Sequence, residues 1–171
     1  GRFEMMILDN LKKAGVQNTY KNERLTFDRL EPYAGEWLQG EGEYTETTPR
    51  SGASPRPQGE PLNRGASHGP GVRARRVAVA IGPEHGTVGP QLIKEAAKEA
   101  VRGVGFDLLI VCGFAFDPHV AEEATRYGKL TVLTARMNPD LAMGDTLLKK
   151  TGSGNLFMVF GEPDIITRRQ D

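Results

Sequence analysis

The sequence has one cysteine, no excess of charge of either sign and no long apolar run. The single thiol, Cys112, cannot form a disulfide within the chain, and its position in an apolar stretch favours a packed core thiol over a reactive one. A membrane-spanning helix needs about 20 mostly apolar residues, so none is predicted, and no signal peptide is visible. These absences favour a cytoplasmic protein.

The distribution of charge bears on nucleic-acid binding. Residues 40–76 carry six arginines against four glutamates, and the rest of the chain is balanced or slightly acidic. A protein that binds nucleic acid on its own usually presents a basic face. The composition therefore disfavours a stand-alone nucleic-acid binder. The candidate residues for a local DNA contact are Arg73, Arg75 and Arg76. The alternative is that these arginines only keep a flexible linker soluble.

One stretch predicts the opening of a βαβ unit. Residues 77–81 alternate valine or isoleucine with alanine, a short apolar run typical of a buried strand. The glycine-rich loop 82–89 follows, and Pro90 suits the first position of a helix. Apolar residues then recur at helical spacing over 91–103.

The same alternation continues along the chain. Further apolar runs predict strands at 107–112, 129–135 and 155–160, with helices beginning after Asp117 and Asn138. Strands that alternate with short helices favour a parallel sheet. The sequence therefore predicts an α/β fold, with a small, mostly parallel sheet of about four strands built from βαβ units.

The chain divides by composition into four parts. We expect an amphipathic N-terminal helix and a possible edge strand in 1–39, a flexible linker in 40–76, the α/β domain in 77–165 and a tail in 166–171. The linker interpretation rests on many Gly, Pro, Ser and charged residues and few apolar ones. Because the chain begins at Gly1 in a helical pattern, we expect it to be a piece of a longer protein.

Polar and aromatic residues follow the predicted strands at their carboxyl ends, the edge where α/β proteins place their sites. The candidate ligand edge comprises Glu84, His85, Gly86, Phe114, Phe116, Asp117, His119 and Arg136. A histidine beside a carboxylate can do acid–base work or bind a metal, and exposed phenylalanines can stack on a base. Equally, the phenylalanines can fill the space between sheet and helices, and the glycine loop can be structural.

The known motifs of catalysis and cofactor binding do not match this edge. The glycine spacing in 82–89 fits neither the dinucleotide fingerprint nor the phosphate loop, and no zinc pattern or serine nucleophile motif is present. The sequence therefore assigns no catalytic, cofactor-binding or metal-binding residue. The alternative that it leaves open is a small-ligand-binding, nucleotide-binding or hydrolytic domain that uses the Gly82–Gly89 loop.

Five blocks carry a family resemblance: RFEMMILDNLKKAGVQNT, IGPEHGTVGPQLIKEAAKEA, FDLLIVCGFAFDPHV, LTVLTARMNPDLAMGD and GNLFMVFGEPDI. They resemble the C-terminal region of adenine-specific DNA methyltransferases related to the modification (Mod) subunit of type III restriction systems. The resemblance covers nearly all of the chain except residues 40–76. It implies a parent enzyme that methylates adenine at N6 with S-adenosylmethionine as donor.

The family's functional motifs are not found in this chain. The catalytic motif is Asp/Asn-Pro-Pro-Tyr, which contacts a flipped adenine. Asp117-Pro118-His119-Val120 lacks the second proline and the tyrosine, and Phe160-Gly161-Glu162-Pro163 does not supply the cofactor motif Phe-x-Gly-x-Gly. Whether the chain is itself an enzyme is therefore left open, and no cofactor is expected in it.

The resemblance implies a non-catalytic accessory module that serves assembly or DNA contact. Its expected partners are the rest of the parent methyltransferase or a second copy, and a restriction subunit. It would meet DNA through the parent enzyme, and no membrane partner is expected.

Overall fold

The computed structural model describes residues 2–18, 23–47, 72–102, 105–120, 126–142 and 156–159. Within these ranges the chain forms two α-helices, nine strands and one short 3-10 helix. In chain order they are α1 (Arg2–Ala14), β1 (Val16–Asn18), β2 (Glu23–Leu25), β3 (Arg29–Pro32), β4 (Gly40–Thr47), β5 (Val72–Ile81), α2 (Pro90–Arg102), β6 (Leu108–Gly113), β7 (Arg126–Tyr127), β8 (Leu130–Met137), the 3-10 helix (Pro139–Ala142) and β9 (Phe157–Val159). No helix in these ranges has the length and apolar character needed to cross a membrane.

The strands form one mixed sheet in the order β2-β1-β9-β8-β6-β5-β4-β3, with β7 beside the start of β8. Three pairs are parallel, namely β5 with β6, β6 with β8 and β1 with β9. The other five are antiparallel. The predicted small, mostly parallel sheet of four strands is therefore wrong. Parallel pairing joins the central strands β5, β6 and β8, and antiparallel strands extend the sheet on both sides.

The connection between β2 and β3 shows that the sheet is curled. These strands lie at opposite ends of the strand order, yet only three residues separate Leu25 from Arg29. Eight strands laid flat would span about 34 Å, whereas the chain from Leu25 to Arg29 can reach about 14 Å. The sheet must therefore bend until its two ends come close together.

Helix α1 packs inside this curve. Its buried residues Ile7, Leu8 and Leu11 belong to one apolar cluster that also includes Val16 of β1 and Leu30 of β3. Because this cluster takes in strands from both ends of the sheet, it marks the inner face. Gly15 ends the helix with a positive φ of 75°, and its N–H donates to the Leu11 carbonyl at 2.8 Å.

Helix α2 packs on the outer face. Ile93, Ala96 and Ala97 lie fully buried against Ala78 and Ala80 of β5 and their neighbours on β6 and β8. Alanines on both surfaces let helix and sheet approach closely. The predicted N-terminal helix and the predicted helix at 91–103 are both confirmed, since apolar spacing along an amphipathic helix is a local signal.

The segment expected to be a linker, 40–76, contributes two strands. All eight residues of β4 pair with β5, from Gly40 opposite Val79 to Thr47 opposite Val72. Residues 48–71 lie outside the described ranges. The linker prediction was wrong for 40–47 and 72–76, because ion pairs and close backbone contact stabilise β4 where apolar residues are scarce.

The remaining predicted elements differ in smaller ways. The strand expected at 155–160 is β9, which runs antiparallel to β8 and so cannot close a βαβ unit with it. Of the helices expected after Asp117 and Asn138, the structure describes a turn at 118–119 and the short 3-10 helix, and residues 121–125 and 143–150 lie outside the described ranges. Residues 160–171, which include the expected tail, also lie outside.

Candidate functional site

Two loops meet at the carboxyl edge of the parallel strands. The loop after β5 and the loop after β6 are joined by backbone hydrogen bonds, in which Val88 N–H donates to the Ala115 carbonyl and Asp117 N–H donates to the Val88 carbonyl, each at 2.8 Å. Gly82 N–H donates to the Cys112 carbonyl at 2.7 Å. The candidate ligand edge is therefore one connected surface.

The two phenylalanines of this edge point to opposite faces of the sheet. The Phe114 ring lies 6.3 Å from the Phe3 ring of α1, on the inner face. Phe116 packs against the outer-face cluster that holds α2. Both rings are half-buried, so they contribute to the core beside the edge and do not form one stacking platform.

The polar residues of the edge make mainly local contacts. One carboxylate oxygen of Asp117 accepts hydrogen bonds from His119 N–H at 2.8 Å and lies 3.0 Å from His119 Nδ1. The bond from the His119 backbone, followed by that from its ring, lowers the pKa of Asp117. This is the geometry of a turn capped by an aspartate. The imidazole itself stays exposed.

The remaining members of the edge are spread over its surface. Glu84, His85 and Gly86 are exposed in the loop after β5, and Gly86 has a φ of 133°. Arg136 is exposed on β8, opposite Gly113 of β6. Neither Glu84 nor His85 forms a hydrogen bond or an ion pair with another described residue. Asp117 and His119 are brought into direct polar contact.

The three candidate DNA-contact arginines do not form one patch. Arg73 is exposed, and Arg75 lies 3.5 Å from an Asp107 oxygen. Arg76 lies over the Phe106 ring, 5.0 Å from its centroid, and 3.9 Å from a Glu41 oxygen. Because side chains alternate along β5, Arg75 and Arg76 face opposite sides of the sheet.

A cleft on the inner face was not predicted from the sequence. It has a volume of about 620 Å³ and is lined by Val16, Asn18, Glu23, Arg24, Leu25, Thr26, Tyr44, Thr45, Leu133 and Val159. Pockets of roughly 300–1,000 Å³ are large enough to enclose a small ligand or part of a peptide. We call it the inner-face cleft.

The inner-face cleft has an apolar floor and a polar rim. Val16, Leu25, Leu133 and Val159 supply aliphatic surface and border the α1 cluster. Glu23, Arg24 and Thr26 are exposed at the rim. Its lining comes from five strands, β1, β2, β4, β8 and β9, together with Thr26 just after β2. Only the curled topology brings these strands together, so no local sequence pattern could have revealed the cleft.

Cys112 contributes its backbone carbonyl to the candidate ligand edge, but its side chain lines neither the edge nor the inner-face cleft. It is fully buried in β6, and burial raises the pKa of its thiol to about 12. A thiol in this state is a poor nucleophile at neutral pH. Among the described residues, no group of three or more His, Cys, Asp and Glu side chains is placed to hold a metal ion.

Comparison with models of protein families, with curated proteins and with solved structures found no match to this chain.

Proposed function

We propose that this chain is a non-catalytic accessory module of a Mod-like N6-adenine DNA methyltransferase of a restriction-modification system, and that its role is assembly. The sequence blocks that resemble this family support the choice of a Mod-like methyltransferase as the parent enzyme. The packing of Phe114 and Phe116 supports the assembly role. These two aromatic side chains of the predicted ligand edge pack into the core on opposite faces of the sheet and do not form a surface for a ligand. A cleft with an apolar floor lies elsewhere and suits a protein contact.

The placement of the arginines supports assembly over direct DNA contact. Arg75 and Arg76 face opposite sides of the sheet, and each lies close to a carboxylate. A phosphate would have to compete with these carboxylates for each guanidinium. A strip of DNA backbone also needs cations on one surface. DNA contact through the parent enzyme is part of the proposal.

The partners follow from this role. The module would hold the rest of the parent methyltransferase or a second copy, with a restriction subunit as a further partner. S-adenosylmethionine would bind to the catalytic core of the parent and not to this chain. The module would work in the cytoplasm beside that enzyme.

One observation favours a second function. The Gly82–Gly89 loop exposes Glu84 and His85 next to a strand end, and Asp117 with His119 lies on the connected loop. A small-ligand-binding or hydrolytic domain would use these groups. This alternative predicts that an anion or nucleotide perturbs His85 and His119 together.

Titration calorimetry of the chain separates these proposals. We expect no saturable heat with S-adenosylmethionine, and at most weak binding of a short DNA duplex that is lost as salt rises from about 50 to 200 mM. Saturable binding of the methyl donor would overturn the assignment of the cofactor site to the rest of the parent. Saturable binding of a nucleotide, abolished by His85→Ala, would favour the ligand-binding alternative.

A further inference from the structure

We propose that edge strand β2 binds an extended segment of a partner protein, which adds a strand to the sheet at the inner-face cleft. The proposal specifies the partner chemistry for the assembly role above and rests on it. Strand addition gives affinity through main-chain hydrogen bonds and selectivity through alternate side chains.

The position of β2 in the sheet is the first argument. Among the strands that the structure describes, it is the last at one end of the sheet, where it pairs with β1. The four consecutive residues Glu23–Thr26 line the cleft. An end strand presents backbone groups on one side to solvent or to another chain, and this side is where a new strand can pair.

The opposite wall shows where the sheet fails to close. Strand β3 pairs with β4 only over 40–43, and in the described residues its ladder ends at the Arg29–Glu43 pair. Tyr44 and Thr45, further along β4, line the cleft. The pairing directions make β2 and β3 run the same way. After Leu25 the chain leaves β1, and it reaches β4 at Asp28, whose carboxylate accepts a hydrogen bond from Thr45 Oγ1 at 2.7 Å. The cleft lies between β2 and residues Tyr44 and Thr45 of β4.

The floor fits the alternation of a strand. Leu25 points to the inner face with Val16, and Leu133 and Val159 continue this aliphatic surface. Successive side chains of an added strand point to opposite faces. The partner residue opposite Leu25 would therefore be aliphatic or aromatic over the floor, and the residues on either side of it would face water.

Charge at the rim specifies the partner further. Glu23 and Arg24 are exposed neighbours on β2, followed by the half-buried Leu25. Directly opposite residues of paired strands favour opposite charges and matched apolar groups. Arg24 Nη1 already donates to the Ala14 carbonyl at 2.8 Å, so Glu23 is the charge that selects a partner. The partner segment would place a basic residue opposite Glu23 and an aliphatic residue opposite Leu25. A second copy paired antiparallel about Arg24 would place two arginines opposite each other, which disfavours that occupant.

Two matched peptide libraries test this proposal on the full chain. Both display nine-residue peptides with one aliphatic or aromatic residue and one charged residue two positions before or after it, which covers both strand directions. In the complementary library the charged residue is basic, to pair with Glu23, and in the exchanged library it is acidic. We expect enrichment from the complementary library only. Amide exchange at Glu23–Thr26 should slow when the selected peptide is bound.

Charge reversal at the rim gives the sharper readout. In Glu23→Lys we expect the selected peptide to bind about tenfold more weakly, and the exchanged library to be enriched instead. Glu84→Lys is the matched control, because Glu84 is also exposed but lies in the loop after β5. It should leave both selections unchanged. Glu23 is at the surface, so neither variant is expected to unfold the chain.

Several outcomes would overturn the proposal. One is enrichment without preference between the libraries, and another is binding that Glu23→Lys does not alter. Peptides that bind only by dissociating a dimer would assign the cleft to a second copy. Peptide binding that appears only after deletion of residues 48–71 would assign the cleft to that segment of this chain. If the chain binds a Mod-like methyltransferase but the selected peptide does not compete, the assembly role stands and this proposal alone fails.

Discussion

Charged side chains stabilise the strand pair β3–β4 at positions where apolar ones would be expected. Arg29 holds Glu41 through two bonds, from Nη1 to Oε2 at 2.7 Å and from Nη2 to Oε1 at 3.1 Å. Glu31 and Glu43 lie 3.4 and 3.8 Å from the same guanidinium. Such a bidentate pair is stronger than an ordinary surface ion pair. Glu41 and Glu43, two of the charged residues that suggested a solvated linker, are in fact partners of one arginine.

This pair predicts a pH dependence of stability. The bond from Arg29, with the charges of Arg29 and Arg76, lowers the pKa of Glu41, whose side chain is 18% exposed. Glu41 thus contributes stability above about pH 4.3, the usual glutamate value, and loses it as the pH falls through the lowered value. In urea unfolding, Glu41→Gln should be less stable than wild type at pH 6, and the difference should shrink below pH 4.3.

The matched control for that prediction removes the arginine instead. In an Arg29→Gln background, Glu41→Gln should change the free energy of unfolding much less, and the dependence on pH should flatten. A difference between wild type and Glu41→Gln that stays constant down to the acid limit would contradict the account.

A single carboxylate ties the loop before β4 to helix α2. Glu99 accepts backbone hydrogen bonds from Glu36, Trp37 and Leu38, at 3.1, 2.6 and 3.2 Å. Glu99→Gln removes the charge and one acceptor oxygen, so we expect a loss of about 1–3 kcal/mol in the free energy of unfolding. Glu95→Gln on the same helix should cost less than about 0.5 kcal/mol, because among the described residues Glu95 bonds only the exposed Gln91 amide. Equal losses would show that Glu99 has no special role.

At the scale of elements, the strands and helices with a strong apolar period were predicted, and β4 was not. The alternation in β5 and the apolar stripes of α1 and α2 are local signals of burial, and these elements form close to where they were expected. Strand β4 reads Gly-Glu-Gly-Glu at its start, and its partners lie 8 or more residues away, the nearest being Pro32 opposite Gly40. Composition within a short window cannot show such pairing.

Gly42, the third residue of β4, is needed for the close approach of β4 to β3. A Cβ at Gly42 would overlap the carbonyl oxygen of Arg29, a backbone atom that cannot turn aside. We expect Gly42→Ala to lose about 1–3 kcal/mol in urea unfolding by pushing β3 away. Gly89→Ala is the control, since nothing lies within 4 Å of a Cβ there, and it should be nearly neutral. Similar stability of the two variants would place β3 further from β4 than described.

At the scale of the whole molecule, the order of strands could not be predicted from the sequence. The alternation of strands and helices suggested βαβ units throughout, but β9 returns antiparallel to β8, and β1 and β2 are added beyond it. Long-range pairing of this kind leaves no local pattern. The candidate ligand edge was predicted as a surface, because strand ends follow from strand positions. The inner-face cleft depends on the curl of the sheet, and so it was missed.

The most direct test of the proposed role is complex formation with a Mod-like methyltransferase that lacks its corresponding C-terminal region. Sedimentation velocity of the chain with this truncated enzyme is the measurement. The account predicts a stoichiometric complex, with S-adenosylmethionine bound by the truncated enzyme and not by the chain alone. Independent sedimentation of the two proteins at micromolar concentrations, under conditions where each is folded, would contradict the assignment of this chain as an assembly module.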